Sequence, residues 1–167
     1  VVDIGQDCLV TGDLSFFAGI TQLQFLAVGE HQRGDLASLR GLSNLWCFAD
    51  YGYGSSKVFG DISALADSPF VLFHVAGNER IHGDLASLKK MDFGANFHED
   101  GTHLENVAHD FWEYQREQQR FILDVSNTKI TGDVANLRLD KVHKVLAGNS
   151  MIHGDVKNLQ SSVKLVE

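Results

Sequence analysis

Short apolar stretches punctuate the chain at a near-constant interval, and each is followed by polar or glycine-rich residues. Phe25 to Val28, Leu45 to Phe48, Val71 to Phe73, Ile122 to Val125 and Val145 to Ala147 are each long enough for one short strand. After each stretch comes a turn, bearing Asn or Thr at Asn78, Thr128 and Asn149, and then a Gly-Asp-aliphatic triplet. The triplets are Gly12-Asp13-Leu14, Gly34-Asp35-Leu36, Gly60-Asp61-Ile62, Gly83-Asp84-Leu85, Gly132-Asp133-Val134 and Gly154-Asp155-Val156. Their glycines lie 22, 26, 23, 49 and 22 residues apart, so the chain is in one register and the longest interval holds two turns.

The surrounding text repeats too. Gly34-Asp35-Leu36-Ala37-Ser38-Leu39 returns as Gly83-Asp84-Leu85-Ala86-Ser87-Leu88, and Ala76-Gly77-Asn78 through Asp84 returns as Ala147-Gly148-Asn149 through Asp155. Within the long interval, Gly101-Thr102-His103-Leu104 stands where a degenerate triplet falls, giving seven turns. The pattern predicts a coil for each turn: a strand that stacks on its neighbours into a parallel sheet, a Gly that permits a bend a Cβ would obstruct, and an Asp that caps a short helix carrying the next Leu-x-x-Leu. A single coil cannot bury its apolar face alone, so stability comes from stacking.

These residues resemble the leucine-rich repeats, in the class with a strand, an Asn-x-hydrophobic-x-Gly turn and a short convex helix. Thr128-Lys129-Ile130-Thr131-Gly132-Asp133 and Ser150-Met151-Ile152-His153-Gly154-Asp155 are similar to the plant-type form, with Asp where that form carries an aliphatic residue and a Pro. The single Pro69 marks the same departure. Similar Gly-Asp-Ile arrays occur in bacterial and phage proteins, so the resemblance implies a bacterial or viral source rather than a plant receptor. The implied fold is an α/β repeat solenoid: a right-handed coil of about seven turns, with short parallel strands on one face and short helices or 3-10 turns on the other. It occupies residues 1–167 as one domain.

Two coils break the period, and such departures are where function is placed. The first inserts Asp50-Tyr51-Gly52-Tyr53-Gly54-Ser55-Ser56. Strict alternation pairs Leu45 with Cys47 and Trp46 with Phe48. If the first pair points inward, Trp46, Phe48, Tyr51 and Tyr53 form an exposed aromatic patch suited to protein contact or to stacking on a sugar. The alternative is that Trp46 and Phe48 sit beneath the loop as a satellite cluster bordered by the tyrosines. The second departure is Leu104 to Arg120, where Leu104, Val107, Ala108 and Phe111 follow helical spacing. An amphipathic helix is expected over about 101–120 in a degenerate coil; it either packs on the solenoid or docks a partner, with Trp112 and Tyr114 at its boundary.

Charge and composition narrow the functional classes. The 167 residues carry 14 Lys+Arg against 22 Asp+Glu, a formal net charge of −8, and the basic residues are scattered. Nucleic-acid binding, which draws its affinity from neutralised phosphates, is not expected. No apolar stretch approaches the roughly 18 residues of a membrane span. Cys8 and Cys47 form no metal spacing, and a single carboxylate per coil, at Asp13, Asp35, Asp61, Asp84, Asp133 and Asp155, serves capping better than cation binding. His82, His98, His103, His109 and His153 read as surface residues. No catalytic motif is found, so no enzyme activity, metal or cofactor is expected.

The expected function is a non-catalytic protein- or glycan-recognition module, with a protein partner, either another subunit or a receptor. The alternative is a structural segment of a surface fibre or virion, in which end coils make fixed subunit contacts. The location is left open by the sequence, with the extracellular space, the cell surface or a virion favoured over the cytoplasm. Residues 1–10 read as the tail of a coil and 154–167 as the start of one, so the chain is expected to belong to a longer protein or to meet partners at its ends.

Overall fold

The computed structural model describes residues 1–5, 8–70, 72–88, 122–136 and 144–159. Within them the chain winds as a repeat solenoid built from two parallel six-stranded sheets. The first stacks the apolar strands in the order β1 (Val2–Ile4), β3 (Phe25–Val28), β5 (Cys47–Asp50), β7 (Leu72–His74), β9 (Ile122–Asp124) and β11 (Lys144–Leu146). The second runs alongside, stacking β2 (Gly12–Asp13), β4 (Gln32–Asp35), β6 (Lys57–Asp61), β8 (Ile81–Asp84), β10 (Lys129–Asp133) and β12 (Met151–His153). Each strand of one sheet is followed in sequence by a strand of the other, so every described turn contributes one strand to each. Strands β7 and β8 pair directly with β9 and β10, so the seventh pair of strands expected from the degenerate triplet at Gly101 to Leu104 does not lie between them.

The sequence reading anticipates the first sheet but not the second. Gln32-Arg33-Gly34-Asp35 and its equivalents carry Gly and Asp, which are depleted in strands, so propensity hides them. Stacking decides the outcome: once the first sheet sets the spacing between coils, the turn residues fall into the same ladder with their neighbours.

After each triplet the chain makes a single short 3-10 turn, as at Leu14–Phe17, Leu36–Leu39, Ile62–Leu65 and Leu85–Ser87. The Asp before each turn is extended, and its carboxylate accepts the backbone N–H two residues on: Ser15 for Asp13, Ala37 for Asp35, Ser63 for Asp61, Ala86 for Asp84, Ala135 for Asp133 and Lys157 for Asp155. A donor that the helical turn leaves orphaned is thereby satisfied.

The same carboxylate links one coil to the next. A Cβ built on Gly83, at φ +121, would lie 2.6 Å from Asp61 Oδ1, and one on Gly34, at φ +124, would lie 2.9 Å from Asp13 Oδ1. The glycine therefore does two things that no other residue can do together. It adopts a backbone conformation closed to L side chains, and it leaves room for the preceding coil's cap.

The core lies between the two sheets and the 3-10 turns. Leu26, Val28, Phe48, Phe73, Leu123 and Val125 point into it from the first sheet, Val58, Ile81 and Ile130 from the second, and Leu36, Ile62 and Leu85 from the turns. Phe73 stacks between Phe48 and Phe70, with ring centroids 6.2 and 5.2 Å away. A second apolar cluster of Phe25, Ala27, Trp46, Cys47, Ala49 and Leu72 occupies the outward side of the first sheet, against which Tyr51 packs. Cys8 and Cys47 are not joined in a disulfide.

Candidate binding surface

The aromatic residues around the inserted loop separate into three environments. Phe48 lies wholly inside the main core, Trp46 is buried in the outer cluster with its ring 5.9 Å from Phe25, and Tyr53 stands 58% exposed. Tyr51 is half-buried beside them. An exposed patch of Trp46, Phe48, Tyr51 and Tyr53 therefore does not form. Trp46 sits in a satellite cluster with Tyr51 at its border, while Phe48 belongs to neither arrangement expected from the sequence.

The cause is a break in alternation at the strand entry. The backbone amides of Trp46 and Cys47 both donate to the Gln24 carbonyl, at 3.0 and 3.2 Å, as at a β-bulge. Trp46 and Cys47 thus turn to the same side, and Leu45 and Phe48 share the other. The expected helix over 101–120, with Trp112 and Tyr114, lies outside the described residues.

Beneath the loop is a buried polar network that the sequence did not disclose. Asp50 ends β5 with no exposed surface, facing the core side in register with Val28. Its carboxylate accepts from the Gly52 amide (3.0 Å), Ser56 Oγ (2.7 Å) and Asn78 Nδ2 (2.8 Å). Asn78 also donates to the Val58 carbonyl and accepts from the Arg80 amide, and Arg80 Nη1 donates to the Ser56 carbonyl at 2.7 Å. A buried carboxylate without such donors would be far costlier than any gain from folding the loop around it. With them, it fixes both ends of the insertion. Asp50 and Ser56 read in the sequence as ordinary loop residues; only the position of an Asp at the end of an apolar strand distinguishes Asp50.

On the outward side, His74 of β7 stands in register with Asp124 of β9, and its Nδ1 lies 3.3 Å from Asp124 Oδ2. Burial alone would raise the Asp124 carboxyl, but hydrogen bonds from His74 and from the Ser126 amide hold it below the usual aspartate value of 3.8. The imidazole is flanked by Tyr51, 5.3 Å away and tilted, and by Tyr53, 5.7 Å away and edge-on. Its Nε2 is buried and has no hydrogen-bond partner among the described residues. A general base must bring that nitrogen to a substrate proton. In this arrangement the ring packs against the two tyrosines, and burial, with Asp3 nearby, pushes the Cys47 thiol well above its usual range.

Tyr53 itself adopts φ +45, a left-handed conformation that costs an L residue about 1 kcal/mol or more. The network below and His74 beside it hold that conformation in place. Among the described residues no group of three or more His, Cys, Asp or Glu side chains is placed to hold a metal ion, and no helix is long and apolar enough to cross a membrane. No protein-family model, curated protein or solved structure matches the chain, so the surface is read from its geometry.

Proposed function

We propose that the chain is a non-catalytic recognition module on a leucine-rich-repeat solenoid, and that it grips a protein or glycan through the loop from Tyr51 to Ser56. The observation that carries this reading is that Tyr53 stands exposed in a strained backbone conformation on an anchored loop. A loop already fixed in one conformation loses little entropy on binding, and tyrosine supplies broad contact area with few rotatable bonds. The surrounding Gly and Ser residues leave the ring accessible to a flat partner surface or to the face of a sugar.

The test is a panel of immobilised peptides and glycans probed with the native chain and with Tyr53→Ala. A cognate ligand should bind the variant at least about tenfold more weakly, the effect of losing a central aromatic anchor, with an unchanged melting temperature. Ligands held equally by both proteins would remove the loop from the account.

A further inference from the structure

The two faces of the first sheet are both apolar and both dry, but only one has a visible reason to be. The inner face meets the second sheet and the 3-10 turns. On the outer face, Phe25, Cys47 and Leu72 form one row across β3, β5 and β7, and Ala27, Ala49 and His74 form the next. Ala27, Cys47 and Ala49 have no exposed surface, and Phe25, Trp46 and Leu72 are buried with them. Among the described residues the one partly buried apolar side chain packed on this cluster is Tyr51. Its ring lies past the end of β5, against Gly5 and His74, and leaves the row of Phe25, Cys47 and Leu72 to another cover.

The dry area is bounded. On β1, Asp3 stands in register with Ala27 and is exposed; on β11, Leu146 stands in register with Asp124 and is half-buried. The apolar cluster therefore spans β3 to β7, two strand spacings or about 10 Å. The sequence holds a segment of matching size. Residues 89–121 follow Leu88 and end before Ile122, which the pairing of Phe73 with Leu123 sets beside Leu72, in the row of the cluster itself. Within that segment Leu104, Val107, Ala108 and Phe111 recur at helical spacing, with Asn106 and Glu113 on the opposite side of the wheel. At 1.5 Å per residue such a stripe runs about 10 Å.

We propose that this segment docks on the outer face of β3, β5 and β7, with Leu104, Val107, Ala108 and Phe111 set over Phe25, Cys47 and Leu72. Each side supplies what the other needs. The sheet offers an apolar surface too large to leave in water, and the segment an apolar stripe that a short helix on its own would not hold together. The interruption of the repeat then serves the sheet it interrupts, and a partner meets the chain elsewhere than on this face. The inference does not depend on the recognition reading, since the loop at Tyr53 is exposed whatever lies on the sheet.

Cys47 lies in the middle of the proposed contact, so its thiol reports on it. In the full chain carrying Cys8→Ser it is the single thiol. Dithionitrobenzoate should label it at least about a hundredfold more slowly in native buffer than in urea. Leu104→Asp with Phe111→Asp charges the stripe and should speed labelling at least about tenfold while far-UV dichroism and cooperative unfolding persist. Glu113→Lys should leave the rate unchanged. Cross-linking decides the matter if the charged variant fails to fold: at least one of Leu104→Cys, Val107→Cys, Ala108→Cys and Phe111→Cys should form an intrachain disulfide with Cys47 under copper-phenanthroline oxidation, and Glu113→Cys should form none. The proposal is overturned by a Cys47 that labels in the native chain as fast as in urea, or by protection that survives the charged stripe in a folded chain. Protection that fades on dilution overturns it too, assigning the face to a second copy, as does a failure of all four cysteines to cross-link.

Discussion

The turn that follows β5 and the turn that follows β9 meet the same requirement with different chemistry. After β9, Thr128 Oγ1 donates to the Val125 carbonyl at 2.6 Å and accepts from the Ile130 amide at 3.3 Å, as Ser56 Oγ accepts from the Val58 amide after β5, and no buried carboxylate is needed on the core side. Ser150 repeats that arrangement in the next coil, with the Ala147 carbonyl and the Ile152 amide as its partners. After β5, the longer coil sends Tyr51 to Ser55 outward, and a wholly buried carboxylate with three donors closes the gap. A tight coil can be sealed by a neutral side chain that is close to its own backbone. An enlarged coil needs a group strong enough to hold two distant segments together, at the cost of a charge taken out of water.

The largest way to break this contrast is Asp50→Ala. It leaves the Gly52 amide, Ser56 Oγ and Asn78 Nδ2 short of an acceptor, and should cost about 3 to 4 kcal/mol in urea unfolding. A loss below about 1 kcal/mol would show that water replaces the carboxylate and that the two turns do not differ in kind. Next come Gly60→Ala and Gly132→Ala, which follow the carboxylate turn and the hydroxyl turn but occupy the same left-handed seat over an Asp. Each should cost about 2 kcal/mol. Unequal losses would mean that the turn chemistry reaches into the contact between coils.

Thr128→Val removes only the hydroxyl, and is expected to lose about 1 kcal/mol on the same assay. Equality with Asp50→Ala would erase the comparison from the other side. The smallest effect is the pH dependence of Asp124, the carboxylate at the end of β9. Its folded-state pKa is depressed, so its contribution is fully present above the unfolded value near 3.8 and is lost as pH falls through the lower folded value. The stability difference between the native chain and Asp124→Asn should be level above about pH 5 and shrink in acid. A difference that grows on acidification would reverse the assigned direction.

Much of the coil was legible because its signals are local. The spaced glycines, the apolar stretches and the Asp before each helical turn act over a few residues, so the parallel stacking of the apolar strands follows from the text alone, though not their register. What stayed hidden depends on contacts between coils. The second sheet is made of residues with poor strand propensity that pair only because stacking aligns them. Phe48 falls on the core side because two amides converge on Gln24, a backbone event that no side-chain pattern marks. Asn78 was readable as a turn residue, but its partner Asp50 lies 28 positions earlier and becomes its neighbour only when the coils close up. The contact between His74 and Asp124 likewise spans two strands separated by the longest interval in the repeat.

The seat of a glycine over the previous Asp has a consequence for how such a chain can change in length. Because every unit brings both halves of the joint, an Asp for the coil after it and a glycine for the coil before it, removing or duplicating one whole unit recreates a joint of the same type. Cutting out residues 132–153, one full 22-residue period, would place Gly154 over Asp84 as Gly132 was before. A cut one residue longer or shorter at this point, inside the strand, would turn its remaining residues over, whereas the turns between strands absorb the differences among intervals of 22, 23 and 26 residues. Growth and loss of this protein are thus quantised in whole coils, a ruler written into its own backbone.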